Sequence, residues 1–506
     1  MYDFFDFAFC QYLTVEFMIR KRLKLPEDAS KKKYWFMVNL PSYFLTPAIM
    51  LFTLPLLLVF MLIRKLVDVA LKKKHGLDYL GLLDGYCTLP HLISVRTLPN
   101  AINELHCIES FKKFDVFFDE IVDHVLKTVW SKECYDKLLT IRASCFGYLY
   151  LKRHNLDVRK VISKVNSESL NDFLQECNNA DLPADGRFNW DMKIASIGAD
   201  GKYYLFIRLH HCIADGTVMY NLVSNILYKL NPLKDVAAQE MRKKLEIEAK
   251  RIGSVKRINK LNINYEKPNI FNVSKSYKTN IVYKTYHLLP IIDVICKNTN
   301  TSFQQVVLTA FGAAISNYME ANKILKIPKK IGCGYPKLTD VDRTVRLFEN
   351  RKSYVFGGRF AGTLLNIPID TKCSWKQRLD KTGAALERII TSYEIPFNAV
   401  STETFIENLP TPIGRLILKN YNYSGKIFNI EGGPALQLFN GDKLLDKVIF
   451  FPKVSTSGFG FTFTNYNNKL QMSLTVSQEQ PNVEASQGIL NETANNISLM
   501  LKEFTY

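Results

Sequence analysis

YYLFIRLHHCIADG, residues 203–216, joins a predicted strand to a predicted helix. Residues 203–209 are mostly aromatic and branched aliphatic, a composition typical of strands. From Thr217 to Leu230 apolar residues recur at helical spacing, which predicts a helix. The two adjacent histidines, His210 and His211, therefore lie where a strand ends and a helix begins.

This corner carries the residue types that acid–base chemistry needs. Asp215 lies four residues after His211, and Gly216 can adopt a backbone conformation closed to other residues. Such a corner can project one imidazole into a cleft while a carboxylate fixes its surroundings, as general-base catalysis requires. The alternatives are a structural pair of histidines or a metal site. Adjacent strand residues point to opposite faces, so both imidazoles cannot easily bind one ion, and we predict no metal.

Composition indicates a folded, basic protein of two lobes. The chain has 506 residues, of which 47% are hydrophobic and 23% charged, so it can bury a large core. The formal net charge is +18, yet the lysines are scattered and no nucleic-acid-binding motif accompanies them, so we predict no nucleic-acid partner. Much of the excess lies beside an apolar N-terminal segment, and attraction to anionic lipid explains that placement better.

The ten cysteines occur singly and without CxxC spacing. This pattern argues against a disulfide framework or a zinc site. Reduced thiols suit a catalytic domain that faces the cytosol.

An apolar segment near the N-terminus predicts a membrane anchor. Residues 34–63 carry no charge, and the stretch 43–63 is long enough to cross a bilayer once, with basic flanks on both sides. Pro47 and Pro55 allow a second geometry, a bent hairpin that enters and leaves on the same side. A buried core helix is the third interpretation, and the single span is preferred.

The remaining patterns divide the chain into four parts. We predict a membrane anchor over residues 1–76, a first lobe with the histidine motif over 77–232, a charged linker over 233–278 and a second lobe over 279–506. Further helices are predicted over residues 111–129, 291–296, 302–319, 375–393 and 482–504, and further strands over residues 279–288, 362–369, 458–465 and 469–477.

The motifs together resemble one family. HHCIADG matches the HHxxxDG motif of acyltransferases that share the chloramphenicol-acetyltransferase and condensation-domain fold. From about Leu77 onward the chain resembles the wax ester synthase/diacylglycerol acyltransferase family. The segments that carry this resemblance are DLP to RFNW (residues 181–190), HHCIADG (210–216), TSFQQVVL (301–308), NIP (366–368), NIEGGP (429–434) and the hairpin over residues 461–477.

The chain also departs from that family in three places. Phe303-Gln304-Gln305 replaces the usual Asn-Asp pair, and Glu431 stands where proline is common. The apolar N-terminal segment is absent from bacterial members, which suggests an animal, membrane-anchored branch. The resemblance implies a mixed α/β (α+β), two-lobed chloramphenicol-acetyltransferase-like fold, and the apolar segment adds an N-terminal transmembrane helix.

The resemblance implies transfer of a long-chain acyl group from acyl-CoA to a fatty alcohol, to diacylglycerol, or to both. His211 would be the general base, and it would return the proton to the departing CoA thiolate. His210 would support the corner, Asp215 would shape it through an arginine salt bridge rather than relay charge, and Gly216 would form the turn. No Gly-x-Ser-x-Gly elbow occurs, and Cys212 has no precedent as a nucleophile in this family.

The substrate contacts are expected between the lobes. Asn366 and backbone N–H groups near Gly432 and Gly433 are candidate donors to the oxyanion. Acyl-CoA would be a co-substrate, and no cofactor is expected. The implied partners are these lipids and a bilayer, at the endoplasmic reticulum or plasma membrane. The alternatives are another CoA-dependent acyltransferase of the same fold and an inactive, membrane-anchored lipid-binding protein.

Overall fold

The computed structural model describes residues 35–93, 100–130, 133–154, 157–198, 201–229, 278–324, 327–338, 359–391, 394–418, 423–433, 435–451, 457–477 and 482–505. The helices are α1 (Trp35–His75), α2 (Gly85–Ile93), α3 (Phe114–Trp130), α4 (Leu170–Asn179), α5 (Gly216–Leu227), α6 (Leu289–Thr299), α7 (Phe303–Ala321), α8 (Trp375–Thr391), α9 (Glu394–Ser401), α10 (Thr411–Leu418) and α11 (Val483–Phe504). The strands are β1 (Tyr79–Leu82), β2 (Ala101–Glu109), β3 (Thr140–Cys145), β4 (Tyr148–Arg153), β5 (Ile162–Lys164), β6 (Trp190–Ser196), β7 (Lys202–His210), β8 (Thr279–Tyr286), β9 (Lys330–Leu338), β10 (Phe360–Pro368), β11 (Tyr423–Gly433), β12 (Lys443–Phe450), β13 (Ser457–Tyr466) and β14 (Lys469–Ser477).

The strand that leads into the histidine motif is the centre of a five-stranded sheet. The order of this sheet is β12-β2-β7-β6-β5, and β7 pairs antiparallel with both β2 and β6. Leu205, Ile207 and Leu209 pack into a core with α3 and α5, whereas Phe206 on the other face packs with α4. Because apolar side chains leave both faces of β7, the strand is covered on both sides and its end is held firmly. The prediction of this strand is confirmed.

The second half forms a six-stranded sheet with the order β10-β9-β11-β13-β14-β8. One face carries Phe459, Phe461 and Phe463 of β13, which pack in a core with α6, α7, α8 and α11. The opposite face of β11 carries Phe428 and Ile430, which pack on the core of the first half. The two sheets therefore meet at β11, next to the end of β7.

Local signals placed seven of the eleven described helices but only five of the fourteen described strands. Ser302 caps α7 by accepting a hydrogen bond from the N–H of Gln305 at 3.2 Å, as predicted for that helix. In α3 the predicted apolar stripe is buried at Phe117, Ile121 and Val125. Such patterns involve only residues that are close together in the sequence. They can therefore be recognised without knowledge of the tertiary contacts.

The predicted boundary between the lobes is crossed by one strand. β12 comes from the second half of the chain but pairs antiparallel with β2, with Lys447 opposite His106. A strand joins the sheet that offers it a free edge, and sequence position does not limit that choice. The predicted linker over residues 233–278 lies outside the described residues except at Lys278.

Helix α1 is one continuous helix of 41 residues that includes Pro47 and Pro55, so it does not reverse as the hairpin alternative requires. Its C-terminal part docks on a small sheet of order β1-β4-β3, where Val67 and Leu71 are buried. Among the described residues we find no helix that combines the length and the apolar character needed to cross a membrane. Within the predicted span 43–63, the side chains at positions 43, 44 and 46–50 lie outside the described part, and the crossing stays a prediction.

Candidate active site

The histidine corner is held by backbone hydrogen bonds from both neighbouring strands. His210 is the last residue of β7, and its N–H donates to the carbonyl of Asn189 at 2.7 Å. The N–H of His211 donates to the carbonyl of Asn100 at 2.8 Å. The sheet therefore fixes the backbone on which both imidazoles stand.

His210 is buried and surrounded by hydrogen-bond donors. Arg142 Nη1 lies 2.6 Å from Nε2, and the N–H of Cys212 donates to Nδ1 at 3.0 Å. Burial, and then the charge of Arg142, hold the pKa of His210 well below its ordinary value. A protonated ring would find no acceptor in these contacts. His210 is therefore suited to support the corner and unsuited to accept a proton.

His211 is only partly buried, and its ring faces the second half of the chain, 6.1 Å between centroids from Phe360 of β10. Burial, and then the charge of Lys426, lower the pKa of His211 to about 3, although the backbone of Ala214 acts in the opposite direction. The ring is thus neutral at physiological pH. Its Nδ1 is buried, so Nε2 is the nitrogen that we expect a substrate to reach.

The carboxylate of Asp215 accepts hydrogen bonds from two backbone N–H groups. Its Oδ1 accepts from the N–H of Val218 at 2.7 Å and caps α5, and its Oδ2 accepts from the N–H of Arg359 at 3.3 Å. The guanidinium of Arg359 donates to Asp84 at 3.0 Å. This geometry agrees with a shaping role for Asp215 and joins the two halves. The arginine salt bridge predicted for Asp215 stays a prediction.

Cys212 is a buried thiol. Its Sγ donates to Asn189 Oδ1 at 3.3 Å, and burial raises its pKa to about 12. A thiol with this pKa is not a thiolate at physiological pH, and only the thiolate is a strong nucleophile.

Gly216 is required for space and not for an unusual backbone conformation. Its φ lies outside the left-handed region, so the conformational reason expected from the sequence was wrong. A Cβ at this position would lie 2.4 Å from Cε1 of Phe428 and 3.3 Å from Cδ1 of Ile430. Only glycine allows β11 to approach the start of α5 this closely.

Replacing Gly216 with alanine is expected to destabilise the fold by about 1–3 kcal/mol, because the added methyl group overpacks the contact with Phe428. Urea unfolding of the full chain measures the change. Gly488 of α11 is the matched control, since nothing lies within 4 Å of its added Cβ. If Gly216→Ala is as stable as Gly488→Ala, the contact with β11 is not tight.

The predicted substrate residues do not assemble around His211. The N–H of Gly432 already donates to Asn465 Oδ1 at 3.1 Å, and its carbonyl accepts from the Tyr220 hydroxyl. Gly433 is exposed, with a φ of +70°. Asn366 shares a face of β10 with Phe360, but six residues along a strand separate the two by about 20 Å.

Sequence reasoning missed Arg142, which contacts His210, and Lys426, whose charge reaches His211. Nothing in the local sequence around Arg142 pointed to it. For Lys426 a signal existed, because residues 426, 428 and 430 alternate along β11 and the other two, Phe428 and Ile430, are apolar. A lysine on such a face is unusual.

The buried histidines give the fold a dependence on pH. Burial lowers the pKa of His91 to about 4 and that of His211 to about 3, and it also lowers those of His106 and His210. The unfolded chain, with an ordinary pKa near 6.5, therefore binds more protons below that pH, so stability must fall as the pH decreases.

Between pH 7 and 5 each fully buried histidine contributes up to about 1.4 kcal/mol of lost stability per pH unit below 6.5. Carboxylates with lowered pKa values stay ionised in this window, so the window reports on the histidines. We expect Tm to decrease steadily from pH 7 to 5. A Tm that stays constant or rises would show that these rings are protonated in the folded state.

Comparison with solved structures defines the class of fold. The chain is similar to the wax ester synthase/diacylglycerol acyltransferase from Marinobacter aquaeolei VT8, with 15% identity, a TM-score of 0.56, and coverage of 84% of this chain and 100% of that one. It is also similar to the first condensation domain of the calcium-dependent antibiotic synthetase, with 10% identity, a TM-score of 0.54, and coverage of 85% and 98%. These likenesses show a two-lobed, mixed α/β fold of the chloramphenicol-acetyltransferase and condensation-domain type.

A family model matches the C-terminal part of the chain. Residues 356–499 match the family model of the WS/DGAT C-terminal domain. This match identifies the C-terminal part of the chain as similar to that domain, and together with the shared fold it supports membership of the wax ester synthase/diacylglycerol acyltransferase family. The histidine motif at residues 210–216 precedes the matched range. No curated protein sequence matches the chain significantly.

Proposed function

We propose that the protein is a membrane-bound O-acyltransferase that transfers a long-chain acyl group from acyl-CoA to a fatty alcohol, to diacylglycerol, or to both. The observation that supports this most is His211. Its ring is neutral and partly exposed at the end of a buried strand, and it faces the WS/DGAT C-terminal domain through Phe360. A neutral imidazole in that position can act as a base.

In the proposed reaction, Nε2 of His211 accepts the hydroxyl proton as the alcohol oxygen attacks the thioester carbon. The carbon–oxygen bond forms and gives a tetrahedral intermediate. The carbon–sulfur bond then breaks, and the CoA thiolate receives the proton from His211. His210 holds the corner, and Asp215 holds the start of α5. No acyl-enzyme is needed in this sequence.

Helix α1 supports a bilayer as a partner. Several large apolar side chains of this helix are exposed by half or more: Leu51, Phe52, Leu56, Leu58, Val59, Leu62, Leu66 and Val69. Arg64 anchors the same helix by donating to the carbonyls of Glu407 at 2.9 Å and Leu83 at 3.0 Å. An exposed apolar helix beside a run of lysines suits an anionic lipid surface. Acceptors dissolved in that bilayer would then be close to the site.

The location follows as part of the same proposal. The anchor would hold the protein at the endoplasmic reticulum or plasma membrane with the catalytic part in the cytosol, as in an animal-type branch of the family. Carbonate extraction of cell membranes, followed by protease protection, tests the attachment and the side on which the catalytic part lies.

A panel of acyl acceptors tests the activity. The full chain in phosphatidylcholine vesicles is incubated with labelled palmitoyl-CoA and hexadecanol, dioleoylglycerol or carnitine. We expect product with hexadecanol, with dioleoylglycerol, or with both. Acylation of carnitine alone would favour a different CoA-dependent acyltransferase, and vesicle binding without any product would favour the inactive lipid-binding protein.

A further inference from the structure

Lys426 lies on the face of β11 that is directed at the histidine corner. It shares that face with Phe428, which approaches Gly216, and with Ile430, which packs in the core of the first half. Its side chain is only 9% exposed. β11 pairs with β9 and β13 on its two sides, so the position of this lysine is fixed by the sheet.

The ammonium group of Lys426 has no anionic partner among the described residues. The contact that the structure shows for it is the ring of Phe451, whose centroid lies 5.6 Å from Nζ. Burial lowers the pKa of Lys426 to about 7. A buried ammonium without an acceptor is costly, and an anion placed beside it would offset that cost.

The charge of Lys426 reaches the proposed base, and Phe428 on the same face of β11 approaches Gly216 of the histidine motif. The charge of Lys426 lowers the pKa of His211, so the two groups are close enough to interact. Protonation of His211 beside a bare ammonium is unfavourable. Protonation of His211 becomes favourable when a negative charge forms close to both the imidazolium of His211 and the ammonium of Lys426.

We propose that Lys426 stabilises the oxyanion that develops on the thioester carbonyl during acyl transfer. This inference rests on the proposed function. As the alcohol oxygen bonds to the carbonyl carbon, the π electron pair moves to the carbonyl oxygen, and His211 takes the hydroxyl proton. The ammonium of Lys426 faces the new negative charge, which is lost again when the carbon–sulfur bond breaks and the thiolate leaves with the proton.

A developing oxyanion would account for a buried lysine at position 426, on the face of β11 directed at the histidine corner. A donor directed at the oxyanion acts in the transition state and not on the bound thioester, so it raises kcat and leaves substrate binding little changed. The oxyanion also offsets the repulsion between Lys426 and protonated His211. The other candidates are less suitable, because the N–H of Gly432 is engaged by Asn465 and Asn366 lies far along β10.

Steady-state kinetics of three lysine variants test the role, with palmitoyl-CoA and whichever acceptor the wild-type chain uses. For Lys426→Met we expect kcat to fall by about 10²- to 10³-fold with the KM for palmitoyl-CoA changed less than about 3-fold. Lys426→Arg keeps a cation and should recover part of kcat. Lys443→Met is the matched control, a lysine on β12 with a side chain 66% exposed, and its kcat should equal that of the wild type.

Thermal unfolding separates this role from a structural one. Removing an unpaired buried charge should leave Tm of Lys426→Met equal to or above that of the wild type, whereas loss of a structural contact would lower it. A kcat for Lys426→Met within about 3-fold of wild type, or a change confined to KM, overturns the role of Lys426 and leaves the proposed function intact. A wild-type chain inactive with every acceptor refutes the proposed function, and the role of Lys426 with it. If Lys426→Met does not fold, Lys426→Gln replaces it under the same criteria.

Discussion

Replacing His211 with alanine is expected to lower kcat for ester formation by about 10²- to 10⁴-fold, the contribution typical of one general base. The physical reason is that no other group at the corner can accept the proton. His210 is surrounded by hydrogen-bond donors. Both carboxylate oxygens of Asp215 accept hydrogen bonds from backbone N–H groups, and the Cys212 thiol is buried. Initial rates with labelled palmitoyl-CoA, in vesicles that contain the acceptor, measure the effect.

A second histidine variant controls for the substitution itself. His287 lies in an exposed bend after β8, far along the chain from the corner, and His287→Ala should keep the wild-type rate. The Tm of His211→Ala, measured beside that of the wild type, shows whether the variant is folded. Substantial activity in a folded His211→Ala variant would remove this residue from the mechanism.

A buried network of charged and phenolic groups joins α5 to the sheet behind it. Lys447 of β12 lies 3.4 Å from Glu104 Oε1, and His106 Nε2 lies 3.1 Å from Glu104 Oε2. The Lys447 ammonium also donates to Ser224 Oγ at 3.0 Å and stands 3.3 Å from the ring centroid of Tyr220. Burial opposes ionisation of Glu104, but the charge of Lys447 and the contact with the His106 ring outweigh it and hold the pKa of the carboxyl below its ordinary value.

Glu104→Ala is expected to destabilise the fold by about 3–5 kcal/mol, because it leaves the ammonium of Lys447 buried without its carboxylate. Both side chains have an exposure of 1% or less, so water cannot replace the lost partner. Equilibrium unfolding in urea measures the loss. The effect should extend to the site, since Tyr220 of α5 also donates to the carbonyl of Gly432.

The same two strands supply the control. Glu109 at the end of β2 pairs with Lys443 of β12 at 3.5 Å, but these side chains are 38% and 66% exposed. Glu109→Ala should therefore cost less than about 1 kcal/mol. In the double variant Glu104→Ala/Lys447→Met, both charges are absent and part of the stability should return. Equal losses for Glu104→Ala and Glu109→Ala would show that burial does not matter for this pair.

Much of this fold was predictable because its signals are local. The strand before His210, the helix after it, the cap at Ser302 and the hairpin of β13 and β14 all follow from hydrophobic periodicity and turn residues within short windows. The histidine corner was predicted for the same reason. The role of Gly216 was predicted for the wrong reason, because the side chain that demands a glycine there comes from Phe428, more than two hundred positions later.

The sequence by itself determined the strand and helix on either side of the two histidines, the position of those histidines at a strand end and the resemblance to one family. Tertiary structure alone decided which distant groups lie near the histidine corner: Arg142, which contacts His210, Phe360, whose ring is near that of His211, and Lys426 on the face of β11. It also decided that β12, from the second half of the chain, pairs with β2 of the five-stranded sheet, and that Asn366 lies six residues along β10 from Phe360. Local patterns are set by neighbouring residues, whereas strand pairing between distant segments depends on the energy of the whole packed core.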